Sequence, residues 1–164
     1  MIVEASAPHA AVIAAMHEAC FKDAWSAPEI ARLMAMPGAI ALIALAGSHD
    51  AELWGFLIAR HAAGEAEILT IATLPDMRRR GVARGMISDL TTRLAGLEIA
   101  DLHIEVAAGN TAALAFYGTL AFEAVGRRKG YYAHAGGTRE DAVLMRLSVP
   151  AALHDGPSRP IPDP

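Results

Sequence analysis

Three apolar runs follow one another in the middle of the chain: Ala39–Ala46, Leu53–His61 and Glu65–Leu74. The segments between them carry Gly47-Ser48-His49-Asp50 and Ala62-Ala63-Gly64. Gaps this short hold a turn and not a crossover helix, so the three runs are expected to be antiparallel neighbours in one sheet. The first follows Pro37-Gly38 and reads as a buried strand, far too short to span a bilayer. Helical patterns flank the trio. One runs from about Pro8 to Phe21, with Ile13, Met16 and Cys20 on one stripe. Another opens at Ser26-Ala27-Pro28-Glu29, a capping-box spacing with Pro in the first turn, followed by Ile30, Leu33 and Met34.

Beyond the trio the pattern alternates. A helix starts near Gly81, with Ala83, Ile87, Leu90 and Leu94 at helical spacing. A strand over Asp101–Ala107, a helix over Thr111–Leu120 and strands over about Glu123–Tyr132 and Asp141–Ser148 follow. A first strand at Ile2–Glu4 is consistent with the pattern. The order ααβββαβαββ implies an α/β (α+β) fold, a mixed and mostly antiparallel sheet flanked by helices. The 164 residues suit a single domain over 1–149. Residues 150–164 hold five prolines and little to bury, and are expected to form a flexible tail or a docked arm.

Composition removes several function classes. Hydrophobic residues are 54% of the chain, too many for a disordered one. Cys20 is the only cysteine, which excludes a disulfide framework and a four-thiolate zinc site. The histidines show no metal spacing. The net charge of −4 argues against a direct nucleic-acid partner. Met1-Ile2-Val3-Glu4 does not begin a signal peptide, so no membrane partner and a cytoplasmic location are expected.

The segment Arg78-Arg79-Arg80-Gly81-Val82-Ala83-Arg84-Gly85 joins a strand to a helix. The first N–H groups of a helix lack backbone partners and sit at the positive end of its dipole, so such a start binds phosphate. The arginines taken alone suit a solvated face equally well. On Asp101–Ala107, alternation puts Leu102, Ile104 and Val106 on one face and His103 and Glu105 on the other. A carboxylate near the carboxyl end of an internal strand is a site candidate, or else half of a structural Glu–Arg pair.

Arg78-x-x-Gly81-x-Ala83 resembles the phosphate-loop pattern of the GCN5-related N-acetyltransferases, the GNAT superfamily. Ile71 to Gly81, Ile104 to Asn110 and Ala115 to Phe122 are similar to its RimI type, the ribosomal-protein-alanine N-acetyltransferases. So are Arg127 to Tyr132, Gly137 to Ala142 and Ala24-Trp25-Ser26. The resemblance covers about residues 20–147. It implies acetyl-CoA as co-substrate, no metal, and transfer to the α-amine of a protein N-terminus, a ribosomal N-terminal alanine above all. It places the pantetheine arm on backbone groups of Ile71, Ala72 and Thr73. The pyrophosphate falls on backbone N–H groups of Arg79, Arg80, Gly81, Val82, Ala83 and Arg84, with Asn110 near the thioester. Glu105 becomes the general base and Tyr117 the general acid, with Trp25, Tyr131 and Tyr132 on the substrate side. The residues alone leave other readings open. Tyr117 suits a core position, Trp25 a packing anchor, and His103 a proton relay. An acceptor that is a small amine or a lysine side chain, or a cofactor-binding module without catalysis, also fits. Ala121 stands where the family usually has Gly, and Ala107 where it has Arg.

Overall fold

The computed structural model describes residues 1–47, 52–133 and 138–151. Residues 48–50 of the expected turn, the Gly137 end of the last motif and most of the expected tail lie outside them. Among the described residues seven strands form one sheet in the order β1-β2-β3-β4-β5-β7-β6. They are β1 (Ile2–Glu4), β2 (Ala39–Leu45), β3 (Leu53–Ala62), β4 (Glu65–Thr73), β5 (Asp101–Ala107), β6 (Glu123–Ala133) and β7 (Arg139–Ser148). All neighbours are antiparallel except β4 and β5.

Among the described residues four α-helices cover the sheet: α1 (Ala10–Cys20), α2 (Ala27–Met34), α3 (Val82–Gly96) and α4 (Thr111–Gly118). Pro8 lies within a separate 3-10 turn over Ala7–His9, so α1 begins later than its apolar pattern suggests. The capping box forms as expected, with Ser26 N–H donating to Glu29 at 2.7 Å. The sheet has apolar material on both sides. Ala41, Ile43, Phe56 and Ile58 pack with Ile13, Met16 and Ile30 of α1 and α2. Leu42, Ala44, Leu57 and Ala59 pack with Met86, Leu90 and Leu94 of α3. That is why Ala39–Ala46 is apolar without alternation: it has no wet face. Truncating the fully buried Phe56 to Ala removes about 3–5 kcal/mol.

The feature that makes room for a site is a bulge in β4. Ile58 pairs with Thr70 and Ala59 with Ile68, which leaves Leu69 extra. Ala66 and Ile68 face α3, but beyond Leu69 the parity reverses and Ala72 faces α1. The parallel pairing of β4 with β5 runs from Glu65↔Asp101 to Ile68↔Ile104 and ends at this bulge. From there β4 continues to Thr73 and β5 to Ala107, and the two separate. A wedge opens between internal strands, with the end of β4 on one wall and Glu105 on the other.

Candidate active site

One side of the wedge is the start of α3. Arg79 and Gly81 are both left-handed, with φ of +59° and +80°. This alternation turns the arginine run back over the helix and gathers successive N–H groups into a concavity. No side chain caps α3, and the first helical hydrogen bond is from Gly85 N–H to Gly81 O, at 2.9 Å. The N–H groups of Val82, Ala83 and Arg84 therefore face outward. A Cβ on Gly81 would meet no protein atom within 4 Å. Its left-handed φ favours glycine there, and the space in front of the loop is open. The Arg84 guanidinium donates to Thr119 Oγ1 at 3.0 Å and ties the start of α3 to the end of α4.

The other side is built on β5. Its alternation is as expected: Leu102, Ile104 and Val106 are buried against α3, while His103 and Glu105 face a cleft of about 400 Å³. Leu33 and Met36, Arg60, Glu67 and Leu69 line the same cleft. The Glu105 carboxylate lies 2.9 Å from Arg128 Nη1, and the Tyr131 hydroxyl also bonds it. Tyr132 Oη donates to the Glu105 carbonyl at 3.4 Å. Burial foremost, and then the negative charge of the Glu105 carboxylate, raise the Tyr132 hydroxyl's pKa.

The two tyrosines reach Glu105 because β6 carries two more residues between Arg128 and Tyr132 than β7 does between Ala142 and Glu140. Gly130 takes φ +57° within this irregularity. Asp141 accepts its N–H at 2.8 Å, and Arg139 Nε donates to its carbonyl at 2.6 Å. The rings of Tyr131 and Tyr132 then stand edge to face, 5.0 Å apart.

Tyr117 is on α4, across the sheet from Glu105. It is 5% exposed, with its ring edge against Phe122 at 5.4 Å. A Schellman turn holds it. Phe122 N–H donates to Tyr117 O at 3.1 Å and Ala121 N–H to Gly118 O at 3.1 Å, with Ala121 left-handed at φ +64°. Burial pushes the Tyr117 hydroxyl well above the ordinary phenol range, with Tyr132 adding to the shift. Asn110 caps α4, its Oδ1 accepting from Ala113 N–H at 3.1 Å.

Trp25 is not among the residues lining the cleft. Its ring stacks on His17 at 4.9 Å, and its backbone N–H donates to His17 Nδ1 at 3.2 Å. The partly buried ring packs against the cluster that joins α1 and α2 to the sheet. His17, which the apolar pattern of α1 passes over, is 3% exposed, and burial lowers its pKa. Its position four residues before Phe21 is the signal that would have found it, since i,i+4 aromatics share a helix face. Arg128 has no such local signal. Among the described residues, no group of three His, Cys, Asp or Glu could hold a metal, and no helix is long and apolar enough to cross a membrane.

The family model described as "Acetyltransferase (GNAT) family" matches residues 11–122. The chain belongs to the GNAT family. It is an acetyltransferase, and its acetyl donor is acetyl-CoA. Its sequence is 34% identical over 102 residues to the ribosomal protein bS18-alanine N-acetyltransferase of Escherichia coli K12, over 62% of this chain and 68% of that one. The crystal structure of the Escherichia coli ribosomal-protein-S18-alanine N-acetyltransferase superposes with a TM-score of 0.82 at 26% identity, over 94% of this chain and 97% of that one. Arabidopsis thaliana NAA60 in complex with acetyl-CoA shares the fold, at TM-score 0.79 and 18% identity, over 91% and 98% of the two chains. The wedge of this acetyltransferase suits its donor. It offers an unpaired strand edge along β4, outward N–H groups at α3, and open space before Gly81.

Proposed function

We propose that this acetyltransferase modifies the α-amine of a protein N-terminus, a ribosomal protein's N-terminal alanine foremost, in the cytoplasm. The observation that carries the reading is the placement of Glu105 and Tyr117 on opposite faces of the sheet where β4 and β5 part. An acceptor in the Glu105 cleft and a donor lying along β4 would then meet in the wedge. The relative from Escherichia coli named for bS18 alanine supports the acceptor.

Acetyl-CoA supplies an acyl carbon activated as a thioester. The N–H groups from Arg79 to Arg84 hold the pyrophosphate at the helix start. The free edge of Ile71, Ala72 and Thr73 pairs with the pantetheine amides as a strand would. Asn110 holds the α4 start beside the reacting end. Glu105 takes a proton from the acceptor ammonium. An α-amine has a pKa near 8, so roughly a tenth is neutral at pH 7 and the base has modest work to do. Tyr117 keeps its proton at every working pH and directs it at the departing sulfur. A thiol ionises near 8.5, so full transfer from so weak an acid is uphill. The role fits a hydrogen bond that strengthens as the carbon–sulfur bond breaks. Tyr131 and Tyr132 orient the acceptor beside Glu105.

The test uses acetyl-CoA and three kinds of acceptor. These are peptides that differ in their first residue, N-terminally blocked peptides that contain lysine, and small amines. Acetylation of the free N-terminus, strongest on alanine, is expected. Modification confined to the blocked peptides or to the small amines would overturn the reading.

A further inference from the structure

We propose that Leu69 is a specificity-determining residue. It walls the place where the side chain of the acceptor's first residue must lie, and so limits that residue to a small one such as alanine. This rests on the reading of the acceptor as a protein N-terminus with its amine at Glu105.

The bulge in β4 puts Leu69 there. Ile68 of β4 stands opposite Ile104 of β5, and both pack on the α3 side. The next residue on each strand turns to the other face. Leu69 and Glu105 therefore come side by side where the strands part, and both line the acceptor cleft. Leu69 is also the residue that the register leaves extra, and a bulge is a place where a strand re-aims a side chain. The leucine is half-buried and packs against the core cluster beneath α1 and α2. On an internal strand with that backing it has little freedom to swing aside.

The surroundings of Glu105 divide by chemistry. On the β6 side, Arg128 Nη1 lies 2.9 Å from the carboxylate and the Tyr131 hydroxyl bonds it. To reach Glu105 from β6, Arg128 must cross β7, where Leu144 stands opposite Glu105. On the β4 side the nearest groups are apolar: Leu69, with Leu33 of α2 and Met36 just after it across the cleft. The acids of β4, Glu67 and Glu65, stand further back, opposite His103 and Asp101.

An ammonium that meets Glu105 carries its α-carbon one bond away and its first side-chain carbon two bonds away. That carbon is held close to the carboxylate whatever the rest of the peptide does. An alanine methyl group turned toward β4 leaves water for an apolar wall. A longer side chain turned the same way overlaps Leu69. Turned toward β6, it sets apolar atoms against a guanidinium and a phenol hydroxyl. Leu69 thus decides how large the first residue can be.

The experiment measures kcat/KM with acetyl-CoA and peptides that differ only in a first residue of glycine, alanine or leucine. It compares the parent protein with Leu69→Ala and Leu69→Val. The parent should favour alanine over leucine by tenfold or more, since one methylene in an apolar pocket is worth roughly 10–200-fold. In Leu69→Ala the leucine-to-alanine ratio should rise by about tenfold or more. In Leu69→Val it should rise by less, in the same direction. The glycine peptide has no side chain to place, so its kcat/KM should be nearly unchanged. If Leu69→Ala fails to fold, as loss of acetyl-CoA binding by calorimetry would show, the ratio in Leu69→Val decides. A parent that takes leucine as well as alanine, or a ratio that neither variant moves, overturns the proposal and leaves the acceptor reading intact. So does an equal loss for all three peptides, which would mean that Leu69 only holds the bulge. If the parent acetylates none of the free N-termini, the acceptor reading fails and the Leu69 proposal falls with it.

Discussion

Tyr117 concentrates the difference between a core residue and a site residue. Its ring packs like core, and its hydroxyl is the only part that differs from phenylalanine. On the proposed role, Tyr117→Phe keeps the contact to Phe122 and lowers turnover by about 10²-fold, with acetyl-CoA affinity nearly unchanged by calorimetry. Because the hydroxyl's pKa is raised, Tyr117 should add no descending limb to kcat up to pH 10. Turnover near the parent level in Tyr117→Phe would leave the residue as packing alone. Glu105 gives a second test. Glu105→Gln should be strongly defective at pH 7 and recover as pH passes the α-amine pKa near 8. With a lysine acceptor the recovery would wait until about pH 10. A defect equal at all pH values would mean that Glu105 positions the acceptor and does not deprotonate it.

At the scale of an element, two left-handed positions carry opposite lessons. Gly81 opens α3 at φ +80° with nothing in front of it. Gly81→Val both strains that conformation and fills the space proposed for the pyrophosphate. Acetyl-CoA affinity should fall tenfold or more, equivalent to about 1.4 kcal/mol. An unchanged dissociation constant would remove the loop from the site. Ala121 takes φ +64° at the end of α4, where its methyl group is unfavourable. Ala121→Gly should relieve about 1 kcal/mol and raise the melting temperature by roughly 2–4 °C. Ala121 stands where the family pattern usually has Gly, so this strain is legible in the sequence. The matching strain at Arg79 is not, because nothing in an arginine run marks which member turns left-handed.

For the whole molecule, His17 is where acid should be felt first. It joins α1 to Trp25 before α2 and to Phe56 in the sheet. Its Nδ1 accepts a hydrogen bond, so the ring must stay neutral there. Burial holds its folded pKa below the usual 6.5, so the unfolded chain takes the proton first. The stability from this group is present above about pH 6.5 and declines as pH falls toward the lowered folded value. Urea midpoints at pH 7.5 and 5.5 should differ more for the parent than for His17→Asn, which keeps an acceptor but does not titrate. Equal differences in the two proteins would assign the acid sensitivity to other groups.

What the sequence alone determined is local. The limits of β5, the capping box at Ser26 and Glu29, the two faces of His103–Val106 and the strand-to-helix loop at Arg78–Gly85 each depend on residues within a turn or two. Those preferences act at short range, so the chain displays them. The start of α1 and the extent of β7 moved by a few residues because helix and strand ends depend on neighbours. Only the tertiary structure decided where the site opens. The bulge at Leu69 and the parting of β4 from β5 are outcomes of register, a contest between strands that no single strand contains. The pairing of Glu105 with Arg128 is of the same kind. Their contact spans two elements and an irregular hairpin, and an arginine on an exposed edge strand looks like any solvated charge until the fold brings a carboxylate to it.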